Sequence, residues 1–197
     1  MTSFITYDRW QPAIQGVVAT TVTDYAYTAV TFQLNDLNAT DLQKYIHMFQ
    51  FYRINTITAR FRLRSNPNAV TTLNSGSTTY MNFFPDIYIA VDHNDSQTPT
   101  GPELFLQQGD KVKVGLLKPD SWVYYRFHPT PQTLMYSGLV SAYSIQGKKN
   151  PWINTDNTAV PHYGLKWMIG MPLNATFSSP LYYEIQYRYN VNFKGNQ

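Results

Sequence analysis

Cysteine is missing altogether from the 197 residues, and with it go disulfide frameworks, cysteine-ligated zinc and thiol chemistry. Packing or oligomerisation has to supply the stability. Charge is scarce too, at 14% of residues against 43% apolar ones. That balance excludes a disordered chain, because enough apolar surface exists to offset the entropy of ordering. No apolar run approaches the roughly 20 residues that a membrane helix needs. The opening Met1-Thr2-Ser3-Phe4-Ile5 has no charged stretch leading into an apolar one, so neither membrane insertion nor a signal peptide is expected. Repeats, low-complexity tracts and Pro/Gly/Ser linkers are lacking, and residues 1–197 are expected to form one domain. Basic tails are lacking as well: Arg9 and Lys44 are the only Lys or Arg in the first 52 residues. A net charge of +3 would not by itself hold nucleic acid.

Aromatic residues are abundant, with 16 Tyr, 11 Phe and 4 Trp, and together with many Thr and Asn they favour strands joined by turns. Gly16–Leu34 reads as one or two strands. Within Asn35–Phe49, Leu42, Tyr45, Ile46 and Phe49 fall at helical spacing, with Asn38 or Thr40 as cap. From Tyr52 the period becomes two: Ile57, Ala59, Phe61 and Leu63 share one face, and Thr56, Thr58, Arg60, Arg62 and Arg64 the other. Asn66-Pro67-Asn68 ends this strand, and Val70–Thr79 reads as a Thr/Ser/Gly loop. Further strands are predicted at Met81–Val91, stopped by Asp92-His93-Asn94-Asp95, at Lys111–Val114, at Trp122–His128, and more weakly at Leu139–Ile145 and Gly164–Met171. Glu103–Gln108 suits one turn of helix. The clearest alternation is the last, with Tyr183, Ile185, Tyr187, Tyr189, Val191 and Phe193 against Tyr182, Glu184, Gln186, Arg188, Asn190 and Asn192. About eight strands with long connections suit a jelly roll, two packed antiparallel four-stranded sheets with one or two short helices in loops, better than an up-and-down barrel.

Chemistry-bearing constellations are few. His47, His93, His128 and His162 are scattered, without the close pairing of a metal site. Asp92-His93-Asn94-Asp95 lacks the spacing of a calcium loop and reads as a turn. His162 is expected to orient a turn before Gly164. No nucleophile elbow, phosphate-cradling glycine loop or carboxylate pair on one strand is present, so no catalytic residue, cofactor or metal is assigned and a non-enzymatic protein is expected. Sequons at Asn38, Asn94 and Asn174 are the chance product of an Asn- and Thr-rich chain.

Three stretches carry a family resemblance. Phe51-Tyr52-Arg53-Ile54, then Trp122-Val123-Tyr124-Tyr125-Arg126-Phe127-His128-Pro129-Thr130-Pro131, and then Trp152-Ile153-Asn154-Thr155 with Val160-Pro161-His162-Tyr163-Gly164-Leu165 resemble, in order and spacing, passages of the capsid proteins of circoviruses and related small viruses with circular single-stranded DNA. The resemblance covers roughly residues 25 to 193. It implies the viral jelly roll and self-assembly into a small icosahedral (T=1) shell, a virus-like particle when made alone, around single-stranded DNA. It also implies a virion protein assembled in the host nucleus. The family's arginine-rich N-terminal arm is not seen before Met1-Thr2-Ser3, and the expectation is that it was removed, leaving weak, salt-dependent DNA contact.

Arg60, Arg62 and Arg64, about 7 Å apart along one strand face, suit successive phosphates; the same row would equally suit a face paired with Asp36, Asp41 or Glu184. Lys111 and Lys113 form a shorter row of this kind. Lys148-Lys149 suits a solvated loop, with acidic glycans of a host cell as a conceivable ligand. Trp122, Tyr124 and Tyr182 lie on non-core faces and suit either subunit interfaces or base stacking. The competing class is a carbohydrate-binding jelly-roll module, which exposed rings would also serve.

Overall fold

The computed structural model describes residues 4–19, 24–37, 39–64, 68–72, 78–82, 84–93, 96–108, 111–131, 133–137, 140–144, 151–170, 175–177 and 179–196. In chain order, β1 (Phe4–Trp10) and β2 (Ile14–Val18) are halves of one strand broken around Pro12, and β3 (Tyr25–Phe32) leads through a 3-10 turn (Leu34–Asp36) into α1 (Ala39–Ile46). There follow β4 (Phe49–Leu63), β5 (Asn68–Thr72), β6 (Thr78–Asn82), β7 (Asp86–Val91), α2 (Glu103–Gln108), β8 (Lys113–Leu116) and β9 (Val123–Phe127). The chain ends with β10 (Thr130–Pro131), β11 (Thr133–Ser137), β12 (Val140–Ser144), β13 (Ile153–Asn154), β14 (His162–Gly170), β15 (Ala175–Phe177) and β16 (Leu181–Asn196).

One sheet runs β1/β2–β16–β4–β9 and the other β3–β14–β7–β8. With β1/β2 as the first of eight principal strands, the orders are 1-8-3-6 and 2-7-4-5, so the first and last strands are neighbours and the Greek keys interlock as a jelly roll. β13 adds to β4, β10 to β14, β5 to β6 and β15, and β11 to β12.

The two longest strands build the core. β4 and β16 pair antiparallel, placing Ile57, Ala59, Phe61 and Leu63 opposite Tyr189, Tyr187, Ile185 and Tyr183, and all eight are buried. Fully burying one such aliphatic or aromatic side chain contributes about 1.5–3 kcal/mol. Across the gap between sheets, Phe61 meets Trp167 of β14 at 5.3 Å, and Phe32 of β3 meets Tyr187, Phe127 and Tyr189 at 5.1, 5.6 and 6.0 Å. A one-residue bulge at Asn55 carries the register from Asn190↔Thr56 to Val191↔Ile54, so Ile54 and Ile57 both face inward. The buried Tyr189 hydroxyl donates to the Asp36 carboxylate at 3.0 Å. Burial, and then that carboxylate, pushes the phenol well above its ordinary range. Helix α1 closes one end, where Tyr45 stacks on Phe193 at 4.8 Å and meets the edge of Tyr7 at 5.7 Å.

The α2 segment covers part of the outer face of the second sheet. Ala90, Met168 and Phe105 of α2 form a small buried cluster there with Tyr25, Tyr27, Tyr88 and Val112 against it. Lys166 and Asp92 form a buried ion pair at 2.8 Å. Asp92, expected to be only a turn residue, thus neutralises a buried ammonium whose desolvation would otherwise cost several kcal/mol.

Several local expectations are corrected. Part of the Val70–Thr79 stretch is strand, in β5 and β6, because its Val and Thr pair across a hairpin; residues 73–77 lie outside the described residues. Met81–Val91 is two strands, β6 and β7, separated around Pro85, which cannot donate to a ladder. The strand expected at Lys111–Val114 begins at Lys113, because it is the Lys113–Leu116 backbone that pairs with β7, so Lys111 and Lys113 do not form one strand row. Thr40 lies inside α1, since the helix already begins at Ala39, and Phe49 opens β4. β1, β11 and the short β10, β13 and β15 were not anticipated. Asn38, Asn66-Pro67, Asn94-Asp95, Lys148-Lys149 and Asn174 fall outside the described residues.

His162 stands at a register shift of β14, its Nδ1 donating to the Val160 carbonyl at 3.0 Å. Gly164 is required there because a Cβ would press on the Phe32 and Phe127 rings. Burial lowers the His162 pKa to about 4, the carbonyl bonds opposing it. An unfolded histidine, titrating near 6.5, binds a proton between pH 6.5 and 4 that the folded one refuses. Stability therefore falls as pH drops through that window, by up to roughly 3 kcal/mol, and this contribution levels off below it. Denaturant melts of wild type and His162→Asn across this range should show a shallower pH slope in the variant, and equal slopes would refute the assignment. Breaking the buried Lys166–Asp92 pair, by Asp92→Ala, should cost about 3–5 kcal/mol, whereas Thr58→Ala on the open face should cost under about 1 kcal/mol.

Candidate nucleic-acid interface

The face of the first sheet turned away from the core is open. The alternation that buries Ile57 to Leu63 forces Arg60 and Arg62 outward on β4, with Arg64 next in the row, beside Gln186 and Glu184 of β16 and Tyr124 of β9. Arg60, Arg62, Arg64, Trp122, Tyr124 and Tyr182 share this face. Lys111 and Lys113 are not brought to it: Lys113 belongs to β8 in the other sheet, and the Lys111 carbonyl accepts from the Tyr125 hydroxyl at 3.2 Å.

The row is heavily partnered. The Arg60 guanidinium lies between the indoles of Trp10 and Trp122, 4.1 and 4.3 Å from their centroids, and donates to Gln186 through Nε and Nη2. Arg62 lies 4.4 Å from the Trp122 centroid and pairs with Glu184 at 2.7 Å. Arg64 donates to Gln15 at 3.0 Å. Guanidiniums about 7 Å apart repel by roughly 0.6 kcal/mol in a water-like dielectric. Each cation–π contact returns about 0.5–1 kcal/mol at an exposed site, so Trp122 and Glu184 outweigh the repulsion. Of the three candidate carboxylates, Glu184 is the one that pairs with the row. Asp36 instead accepts from Tyr189 and the Gln33 backbone, and the Asp41 side chain lies outside what the structure describes.

Sequence reasoning missed four of the cations on this face. Arg53 and Lys194 lie 4.5 and 4.4 Å from the Trp152 centroid, at the other end of the same face. Arg188 pairs with Asp8 through two bonds of 2.7 Å. Arg126 of β9 stands opposite Thr58. The outward parity of Arg126 and Arg188 was readable from their strand alternation, but that β1, β16, β4 and β9 lie side by side was not. Among the described residues seven cations (Arg53, Arg60, Arg62, Arg64, Arg126, Arg188, Lys194) thus share this face with two carboxylates, Asp8 and Glu184. The face carries five net positive charges, where the whole chain has three. Among the described residues no group of three or more His, Asp or Glu converges as a metal would require, and no helix is long and apolar enough to cross a membrane.

A jelly roll with one outer face of cations and rings is an architecture found among viral coat proteins. The profile of circovirus capsid proteins matches residues 2–197, and the chain belongs to that family. It is a capsid protein, a component of a virion. Among solved structures, the 60-mer BFDV capsid protein is similar with a TM-score of 0.67 at 16% identity, over 99% of this chain and 95% of the other. The decameric BFDV capsid protein follows with a TM-score of 0.56 at 15% identity, over 98% and 100%. A semi-empty particle of the giant freshwater prawn Macrobrachium rosenbergii nodavirus has a TM-score of 0.51 at 8% identity, over 100% and 96%. At such identities the likeness is one of fold. Among curated protein sequences no match was found.

The stacked row has a measurable signature. A double-mutant cycle of Arg60→Ala and Trp122→Ala, read by urea melts, should give a coupling of about 0.5–1 kcal/mol. Strict additivity would show that the stack does not hold in solution.

Proposed function

We propose that this chain assembles with copies of itself into a closed T=1-type shell around circular single-stranded DNA, without enzymatic activity, and that the cationic face of the first sheet meets the nucleic acid. The observation that carries the reading is the asymmetry between sheets: one outer face is partly covered by the chain's own α2 segment, while the other gathers five net positive charges among aromatic rings. Single-stranded nucleic acid is held by that combination, cations for the phosphates and rings for the bases. The family supports the shell, as do the 60-mer and decamer formed by the BFDV capsid protein. The jelly roll also leaves exposed apolar side chains at strand edges, such as Val17, Val114 and Leu116, that contact between subunits would cover. Assembly in the host nucleus completes the reading that the resemblance suggests, and the Lys148-Lys149 pair of the sequence suits acidic glycans of a host cell.

Five net charges per subunit balance few phosphates, so contact through this face is weak, local and salt-dependent. Arg60, Arg62 and Arg64 supply charge to it, and Lys111 and Lys113 belong to another surface. Electron microscopy of purified protein should show closed shells, and particles should lose 260 nm absorbance relative to 280 nm as salt is raised. The triple variant Arg60→Ala/Arg62→Ala/Arg64→Ala should retain less nucleic acid than wild type. Monomers under every salt and pH, with binding to immobilised glycans, would make the carbohydrate-binding module the better reading.

A further inference from the structure

Where the row is most closely partnered it has least to offer a ligand. The Arg60 guanidinium is covered by two indoles and a carboxamide, and Arg62 by an indole and a carboxylate, so a phosphate would have to displace what is already there. Two strand positions away, the same face holds a different arrangement. Asp8, Thr56, Thr58, Arg126, Arg188 and Asn190 line a polar recess of about 100 Å³. Asp8 is occupied by the two-pronged Arg188 pair, and the Asn190 carboxamide oxygen accepts from Asn55 at 3.0 Å. Arg126 has only a 3.5 Å approach from its Nη2 to the Thr56 hydroxyl, beyond the ordinary hydrogen-bond range. Among the described residues no carboxylate pairs with it. The recess therefore holds one positive charge beyond its internal pair, two hydroxyls and a guanidinium fork that is almost entirely unspent.

A ring stands next to it. Tyr124 lies two residues before Arg126 on the same face of β9, about 7 Å away, and is 46% exposed. Trp10 meets it edge-on at 6.5 Å and 64°, which props the ring while leaving the rest of it open. We propose that this recess and Tyr124 form a nucleotide subsite of this face: the phosphate of a single-stranded DNA backbone sits against Arg126, Thr56 and Thr58, and an adjoining base stacks on Tyr124. The geometry matches the ligand's own division into an anion and a flat ring about one strand repeat apart. The fork of Arg126 suits phosphate oxygens, the hydroxyls donate to the same group, and stacking is indifferent to base identity. Arg60 takes a positioning role, holding Trp10, and through it Tyr124, in place.

The inference rests on the proposed nucleic-acid function of this face, and the test separates the two. A fluorescein-labelled oligodeoxythymidylate is titrated at several salt concentrations onto the 197-residue chain kept below its assembly threshold, as checked by sedimentation. Compared are wild type, Arg126→Gln, Tyr124→Ala, and Lys113→Gln, which removes one charge from the other sheet. Arg126→Gln should flatten the plot of log affinity against log salt by about 0.7, one phosphate contact of a single strand. Tyr124→Ala should weaken binding at fixed salt about fivefold or more with the slope unchanged, and should leave competition by inorganic polyphosphate, which has no bases, unaltered. Lys113→Gln should change neither. If wild type binds the strand and Arg126→Gln behaves like Lys113→Gln, the subsite is wrong and the cationic face acts elsewhere. Absence of wild-type binding even at low salt would overturn both the subsite and the nucleic-acid reading.

Discussion

The pairing of β4 with β16 is the constraint on which the rest of the molecule depends. It runs from Tyr183↔Leu63 to Asn196↔Phe49, and because the side-chain period of a strand is two, its register assigns every residue of both strands to a face. A slip of β4 by one residue against β16 would turn Arg60 and Arg62 toward the core and Ile57 and Phe61 away from it, exchanging buried apolar surface for buried charge. The register is thus fixed by the core, and the charged face is its necessary reverse. The bulge at Asn55 lets the inward pattern survive over the full length of both strands, since Ile54 and Ile57 are three residues apart and would otherwise point opposite ways.

Burial being the reason for the charged face, the face then has to be stable in its own right. Cations on adjacent strands of one sheet surface repel, and here the repulsion is met by interposed rings: Trp122 between Arg60 and Arg62, Trp10 over Arg60, and Trp152 against Arg53 and Lys194. An indole face is a weak acceptor of positive charge that brings no negative charge with it. Spacing arginines with carboxylates would have stabilised them equally while cancelling the field. Spacing them with tryptophans leaves the net charge intact, which the proposed contact with a polyanion requires.

Legibility followed the physics of each signal. The inward and outward parity of β4, β9 and β16 was readable because alternation of Ile57, Phe61, Tyr125, Tyr187 and their neighbours is a local property of sequence, and Glu184 was correctly among the candidate partners of the arginine row. The jelly roll was inferred from strand number and connection length, which topology then realised. Lost to sequence were the facts that depend on which strand lies beside which. Trp10, far from Arg60 in the chain, joins it only because β1 flanks β16. Trp152 meets Lys194 only because β13 adds to β4. Lys111 and Lys113 were grouped with the arginines by residue type, and the two-sheet division separates them. β1 itself was overlooked because its polar Thr6, Asp8 and Arg9 dilute the apolar signal of an edge strand.

A guanidinium's presence on a surface therefore says less about binding than the state of its hydrogen bonds. Arg60 is the most conspicuous cation in the sequence pattern and among the most fully engaged in the fold, whereas Arg126, next to last in a short strand, keeps most of its donors unspent. Desolvating an already satisfied cation for a ligand forfeits existing contacts, while an unsatisfied one on the same face gives up only water. On that reasoning the two parts of the face divide their labour. The stacked arginines fix the relative positions of β1, β4 and β9 and hold the rings in place, and the contacts open to a ligand lie where this scaffolding leaves a charge unspent.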